Sequence, residues 1–237
     1  MSPDAHLVVV SGPAGSGKST LLAQAYERCR DSVWLSVEPM DDDPGALWSA
    51  LIDSTAQTIP GFGSEYRQRL DTGGAQAVDR VVPMFVNELA DMSRPIRLFL
   101  DDLHLLSGER SAGSLHRLVN LLPPESSLVV ASRNELPLPL GRLRVDGALV
   151  EIDGADLAMD VGEARATLRA AGIDAGEDEI SALVSRTEGW VAGVAWATMA
   201  LQEAPDTGAF LEEVDALDGE LSAYLIEEVL DQRSPEL

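Results

Sequence analysis

The chain has 237 residues, 45% of them hydrophobic, with 17 basic and 40 acidic side chains and a formal net charge of −23. Such a length suits one large domain or a domain with a smaller lobe, and so apolar a composition excludes intrinsic disorder. No apolar run reaches the ~20 residues of a membrane helix, no secretory signal opens the chain, and the excess of carboxylates is the wrong charge for a phosphate backbone, so neither a membrane nor direct nucleic-acid binding is expected.

In chain order, His6-Leu7-Val8-Val9-Val10-Ser11 is a short β-branched run ending at glycine, the pattern of a buried parallel strand. Residues 18–30 carry Leu21, Leu22, Ala25 and Tyr26 at helical spacing, and residues 32–37 form a second strand. Asp41-Asp42-Asp43-Pro44 opens a helix running to about residue 56, with acids at its positive end and proline in its first turn. Residues 58–73, rich in Gly, Pro and polar side chains, are expected as a loop or weak helix, followed by a helix over 75–92. A third strand at 96–100 ends at Asp101-Asp102, a helix covers 115–122, a fourth strand at 127–131 ends at Ser132-Arg133, and residues 149–152 suit a fifth. From there the alternation stops: 162–171, 177–186, 191–202, 210–217 and 221–231 all have helical spacing. Strands alternating with helices predict a parallel α/β sheet flanked by helices, and the run that follows predicts an all-helical lobe.

Charge follows the same division. Residues 1–145 carry a net −5 and residues 146–237 a net −18, so the expected domains are 1–153 and an acidic lobe over 154–237. An ordinary solvated acidic surface and a partner-facing lobe both fit that charge. The single Cys29, at the end of the first helix beside Arg28 and Arg30, allows no internal disulfide, and a reducing cytoplasm is the expected setting.

The chemistry begins at Gly12-Pro13-Ala14-Gly15-Ser16-Gly17-Lys18-Ser19, which matches G-x-x-x-x-G-K-[ST] between a strand and a helix. Glycines let the backbone curl so that successive N–H groups face phosphate oxygens, and the helix N-terminus adds partial positive charge. Lys18 supplies a full charge and Ser19, followed by Thr20, a hydroxyl for Mg²⁺. Lys18 is the only lysine of the chain, against 16 arginines; a compact ammonium stands where a phosphate needs a point charge. In Leu98-Phe99-Leu100-Asp101-Asp102, an apolar strand ends in two acids: Asp101 is placed to hold Mg²⁺ and Asp102 to polarise an attacking water. Arg133, at the end of the next strand, fits a fixed cation that senses the γ-phosphate, and a surface salt bridge is its plainer reading. His104 suits a loop histidine with a local hydrogen bond, or a contact to the water or a partner. Trp190 and Trp196 suit core aromatics, or a stacking surface for adenine.

Taken in order, SGPAGSGKSTLL at 11–22, Trp34 to Glu38 with Asp42-Asp43-Pro44, LFLDDLHLL at 98–106, ASR at 131–133 with PLPLGRLR at 137–144, Glu151 to Leu157, and TEGWVAG at 187–193 resemble the nucleotide-binding region of the large MalT-like LuxR-type regulators, which belong to the STAND class of P-loop NTPases. The resemblance implies an ASCE/AAA-like α/β fold, ATP/ADP as ligand with Mg²⁺, a closed ADP form and an ATP form that self-associates. It carries the binding role onto Gly12 to Thr20, metal binding onto Ser19 and Asp101, and catalysis onto Lys18, Asp102 and Arg133. Gly189-Trp190-Val191 answers to the family's G-x-P-like element near the adenine, with valine in place of proline. Family members have a short base-clasping segment before the first strand and continue into sensor and helix-turn-helix domains, so DNA binding is expected of a longer parent. A P-loop ATPase or kinase with its own substrate is the competing expectation, and a scaffold that binds no nucleotide is the third.

Overall fold

In a computed structural model, residues 5–92, 94–136 and 138–203 are described. They divide into two compact units, residues 5–12 with 18–153 and residues 13–17 with 154–203.

The first unit is built on β1 (Leu7–Ser11), β2 (Ser32–Ser36), β3 (Arg97–Asp101), β4 (Ser127–Ser132) and β5 (Leu149–Ile152). These form one parallel sheet in the order β2-β3-β4-β1-β5. Its central strands are buried on both faces, which is why they read as continuous apolar runs rather than alternating ones. On one face Leu7, Val9, Val33, Leu35, Leu98, Leu100, Leu128 and Val130 pack in the main core with α2 (Pro44–Thr58), α3 (Arg67–Asp91) and α4 (Glu109–Leu121). Trp48 and Phe85 meet edge to face there at 5.4 Å, and the Trp48 indole donates to Ser114 Oγ at 2.9 Å, so the buried polar end is satisfied. On the other face Phe99 meets Tyr26 of α1 (Lys18–Arg28) at 5.6 Å.

The register brings the carboxyl ends of β3, β4 and β1 side by side. Leu100 pairs with Val130, Ser11 pairs with Ser132, and the Gly12 amide extends that ladder to the Ser132 carbonyl at 3.3 Å. Because β1 sits between β4 and β5, the loop after β1 leaves the sheet at a change of strand order, where open α/β sheets place their ligands.

Three expectations need correction here. The segment 58–73 is neither loop nor weak helix throughout: turns over 59–66 lead into α3, which starts at Arg67 and runs on through Gly73-Gly74. Phe62, Tyr66 and Leu70, each four residues apart, are buried and outweigh the glycines, while the Glu88 carboxylate accepts from the Gly63 amide at 3.1 Å and the Tyr66 hydroxyl at 2.7 Å. Second, α4 begins at Glu109, six residues before the expected 115, because Asp42, remote in sequence, accepts from the Ser107 and Gly108 amides at 2.8 Å each and caps it. Third, a short helix α5 (Gly141–Val145) stands where none was expected, before β5.

The second unit holds the helices α6 (Val161–Ala170), α7 (Glu177–Thr187) and α8 (Val191–Glu203), the helical C-terminal part expected from the sequence. Asp160 and Glu163 make a reciprocal capping box at the start of α6. Leu168, Ile180, Leu183, Val194, Ala197 and Leu201 supply its core. The expected helices at 210–217 and 221–231 lie outside the described residues.

Candidate functional site

In the first unit, five charged or titratable groups gather at the carboxyl end of the sheet. Lys18 opens α1 and is buried. Burial, and after it the nearby Arg133 guanidinium, pulls the ammonium below its usual range, while Asp102 and Asp101 oppose that pull. Two cations sharing a partly desolvated corner is the charge arrangement that an anion relieves.

Asp101 ends β3, buried, with Oδ1 accepting the Asp102 amide at 2.9 Å. Asp102 follows in the left-handed region, φ 56° and ψ 35°, a conformation that costs a non-glycine residue about 1 kcal/mol or more. This bend ends the strand and turns the Asp102 carboxylate, 44% exposed, out of the sheet plane toward the His104 ring. His104 Nδ1 lies 3.8 Å from Asp102 Oδ1 and has no hydrogen-bond partner among the described residues. Burial and the charges of Arg133 and Lys18 hold that imidazole below its ordinary 6.5, toward the neutral form. After β4, Ser132 Oγ donates to the Asn134 carbonyl at 2.7 Å, which turns the chain sharply at the half-buried Arg133.

The second unit contains the middle of the glycine-rich loop. Gly15 and Gly17 have φ of +70° and +88°. A Cβ on Gly15 would lie 2.6 Å from Ala192 Cβ and 2.8 Å from Trp190 Cζ2, so glycine is required there twice over. Ser16 Oγ is buried and has no hydrogen-bond partner among the described residues. The Trp190 indole N–H donates to the Ala14 carbonyl at 2.9 Å, and the Ala192 amide donates to the Gly15 carbonyl at 3.0 Å. Beside this loop lies a mostly apolar cavity of about 570 Å³, lined by Pro13, Ala14, Leu157, Ala158, Gly189 and Trp190 among others.

Each unit therefore brings together part of the predicted set: Lys18, Asp101, Asp102 and Arg133 in the first, Pro13 to Gly17 and Trp190 in the second. Ser19 and Thr20 lie exposed on the first turn of α1. His104 differs from the expected loop histidine with a local hydrogen bond: its Nδ1 finds no partner among the described residues and lies beside Asp102, a placement that the D-D-x-H spacing signals. Ala192, present in the TEGWVAG segment but given no role of its own there, holds the Gly15 carbonyl through its amide at 3.0 Å. The donors suited to a metal are hard oxygens, Ser19 and Asp101, with Asp102 adjacent, as Mg²⁺ prefers when phosphate and water complete its shell. Among the described residues no cluster of three or more His, Cys, Asp or Glu stands ready to hold a metal alone.

The family described as AAA ATPase domain matches residues 1–131. The chain belongs to that family. This AAA ATPase domain is a nucleotide-binding P-loop domain, and its relatives are longer proteins. It is 32% identical over 239 residues to the serine/threonine-protein kinase PknK of Mycobacterium tuberculosis, a match covering 98% of this chain and 21% of the relative. It is 29% identical over 233 residues to the HTH-type transcriptional regulator MalT of Klebsiella pneumoniae, covering 95% of this chain and 25% of the relative. The chain thus spans a fifth to a quarter of the length of these curated relatives. Among solved structures, a Walker-type ATPase of Pyrococcus abyssi shares the fold, with a TM-score of 0.55 and 16% identity over 98% of this chain and 72% of that one. Among the described residues no helix is long and apolar enough to cross a membrane.

Proposed function

We propose that this AAA ATPase domain is the ATP/ADP switch module of a signal-responsive transcription regulator, with residues 1–153 as the nucleotide-binding domain and 154–237 as the beginning of a helical lobe. The observation that carries the nucleotide reading is the loop itself: two left-handed glycines, a buried Ser16 hydroxyl with no partner among the described residues, and a buried lysine whose charge is opposed by the Arg133 guanidinium. In this reading the amides of Gly15 to Ser19 and the Lys18 ammonium bind the phosphate oxygens. Ser19 and Asp101 hold Mg²⁺, which neutralises phosphate charge. Asp102 orients and polarises the attacking water, neutral His104 holds Asp102 in place, and Arg133 faces the γ-phosphate.

The regulator reading rests on the MalT relatives together with the TEGWVAG and PLPLGRLR segments of the sequence resemblance. Hydrolysis in such a switch is slow, well under the ~1–100 s⁻¹ of kinases, and the ATP form self-associates. The PknK match touches a fifth of that kinase, and this chain contains neither H-R-D nor D-F-G, so the match does not favour kinase chemistry here.

The test is to denature the purified protein and identify released nucleotide by mass, then to measure ADP–Mg²⁺ affinity by calorimetry and single-turnover hydrolysis. Bound adenine nucleotide with slow turnover is expected. Rapid ATP consumption stimulated by a small metabolite would replace the switch by an enzyme with its own substrate, and no binding at all would leave a scaffold.

A further inference from the structure

Trp190 contacts the glycine-rich loop through its N–H and its ring at once. The N–H reaches the Ala14 carbonyl at 2.9 Å, and the next carbonyl, of Gly15, is taken by the Ala192 amide at 3.0 Å. Ala192 is in the first turn of α8, where an amide has no partner within its own helix. The loop peptides are trans. In a trans peptide the C=O and the N–H point in opposite directions. Holding the Ala14 and Gly15 carbonyls against α8 therefore turns the Gly15 and Ser16 amides the other way, into the concave side of the loop. The Ser16 amide also closes the turn, through a long 3.4 Å contact to the Pro13 carbonyl. Inward-facing successive amides are what an anion-binding nest consists of.

The ring is fitted into this arrangement by two glycines. A Cβ at Gly15 would stand 2.8 Å from Trp190 Cζ2, and a Cβ at Gly193 would stand 2.7 Å from Trp190 Cε3. Glycine inside α8 weakens helix propensity, and here its absent side chain is the space in which the indole lies.

We infer that Trp190 is a positioning residue for the phosphate cradle: with the Ala192 amide it fixes the loop peptides so that their N–H groups face the anion, and the start of α8 thereby registers whether a phosphate is bound. This rests on the nucleotide reading above but assigns Trp190 to the phosphates rather than to the base.

Base-free pyrophosphate separates the two assignments. Calorimetry on the full chain, with Mg²⁺, compares ADP and pyrophosphate for wild type and Trp190→Phe, which keeps an aromatic ring and removes the N–H. Loss of one neutral hydrogen bond should weaken both ligands by the same factor, about five- to tenfold. In wild-type protein carrying 5-fluorotryptophan, the ¹⁹F resonance absent from Trp190→Phe should shift when pyrophosphate is added. If Trp190→Phe does not fold, Gly193→Ala serves instead: it improves helix propensity, crowds the ring, and should also weaken both ligands equally. A loss confined to ADP would make Trp190 a base-stacking residue and overturn the inference. Unchanged affinity for both ligands, or a Trp190 resonance indifferent to pyrophosphate, would overturn it as well. Wild-type protein that binds neither ligand would instead end the nucleotide reading itself.

Discussion

His104 points an Nδ1 that no other described residue satisfies at the Asp102 carboxylate from 3.8 Å. The gap is too long for a hydrogen bond and short enough to close with a small movement of either side chain. Closure would fix Asp102 where it can act on water. Asp102→Asn should slow single-turnover ATP hydrolysis by about 10²–10⁴-fold, the usual worth of a general base, and leave ADP affinity within a factor of about two. His104→Ala should slow it by about tenfold or more, also without loss of ADP affinity. Loss of ADP binding in either variant would mean that the residue holds the ligand instead.

Lys18→Ala should abolish measurable ADP binding in calorimetry, because several charge-assisted contacts worth about 1.5–3 kcal/mol each converge on that ammonium. Lys18→Arg should not restore it: a planar guanidinium does not fit a buried position shaped for a point charge. Normal ADP affinity in Lys18→Ala would contradict the proposed site.

Gly15→Ala places a side chain on backbone with φ +70° and only 2.6 Å from Ala192 Cβ. We expect it to cost about 1–3 kcal/mol of stability through strain and displaced packing, measured as a lower midpoint in urea. Gly61→Ala is a control, since it also has positive φ but a Cβ there would meet no atom of the described residues within 4 Å; it should cost less.

Acid should loosen the first unit through two groups whose shifts share a sign. Hydrogen bonds from the Ser107 hydroxyl and the Gly108 and Ser107 amides hold the Asp42 carboxyl below its ordinary 3.8. Its contribution is complete above that value and is lost as pH falls through the lower folded value. His104, also depressed, adds stability that is complete above 6.5 and declines as pH falls toward its folded value. Stability measured by urea titration should therefore drop in two stages on acidification. Asp42→Ala should remove the lower stage and cost about 1–2 kcal/mol at neutral pH, the value of a helix cap. Wild-type behaviour in that variant would show that the cap contributes little.

The strands were legible because burial on both faces writes them as unbroken apolar runs, and the loop was legible because phosphate chemistry demands its residues at fixed spacing. Asp101 and Asp102 followed from their place at a strand end. What escaped depends on partners remote in the chain. Nothing local to residue 109 announces a helix start, since its cap is Asp42. Nothing around Gly73 announces a helix interior, since Tyr66 and Leu70 are held by the core they join. The sequence allows Trp190 a choice between core and ligand surface; only the fold shows its N–H committed to Ala14.

The compact units do not follow a single cut in the chain, because Pro13–Gly17 keep company with residues beyond 153. A fragment ending at Asp153 would retain every residue of the Walker A signature and lose the struts under its middle. Chimeras that exchange the helical lobe between relatives should accordingly transfer these five loop residues as part of the same graft.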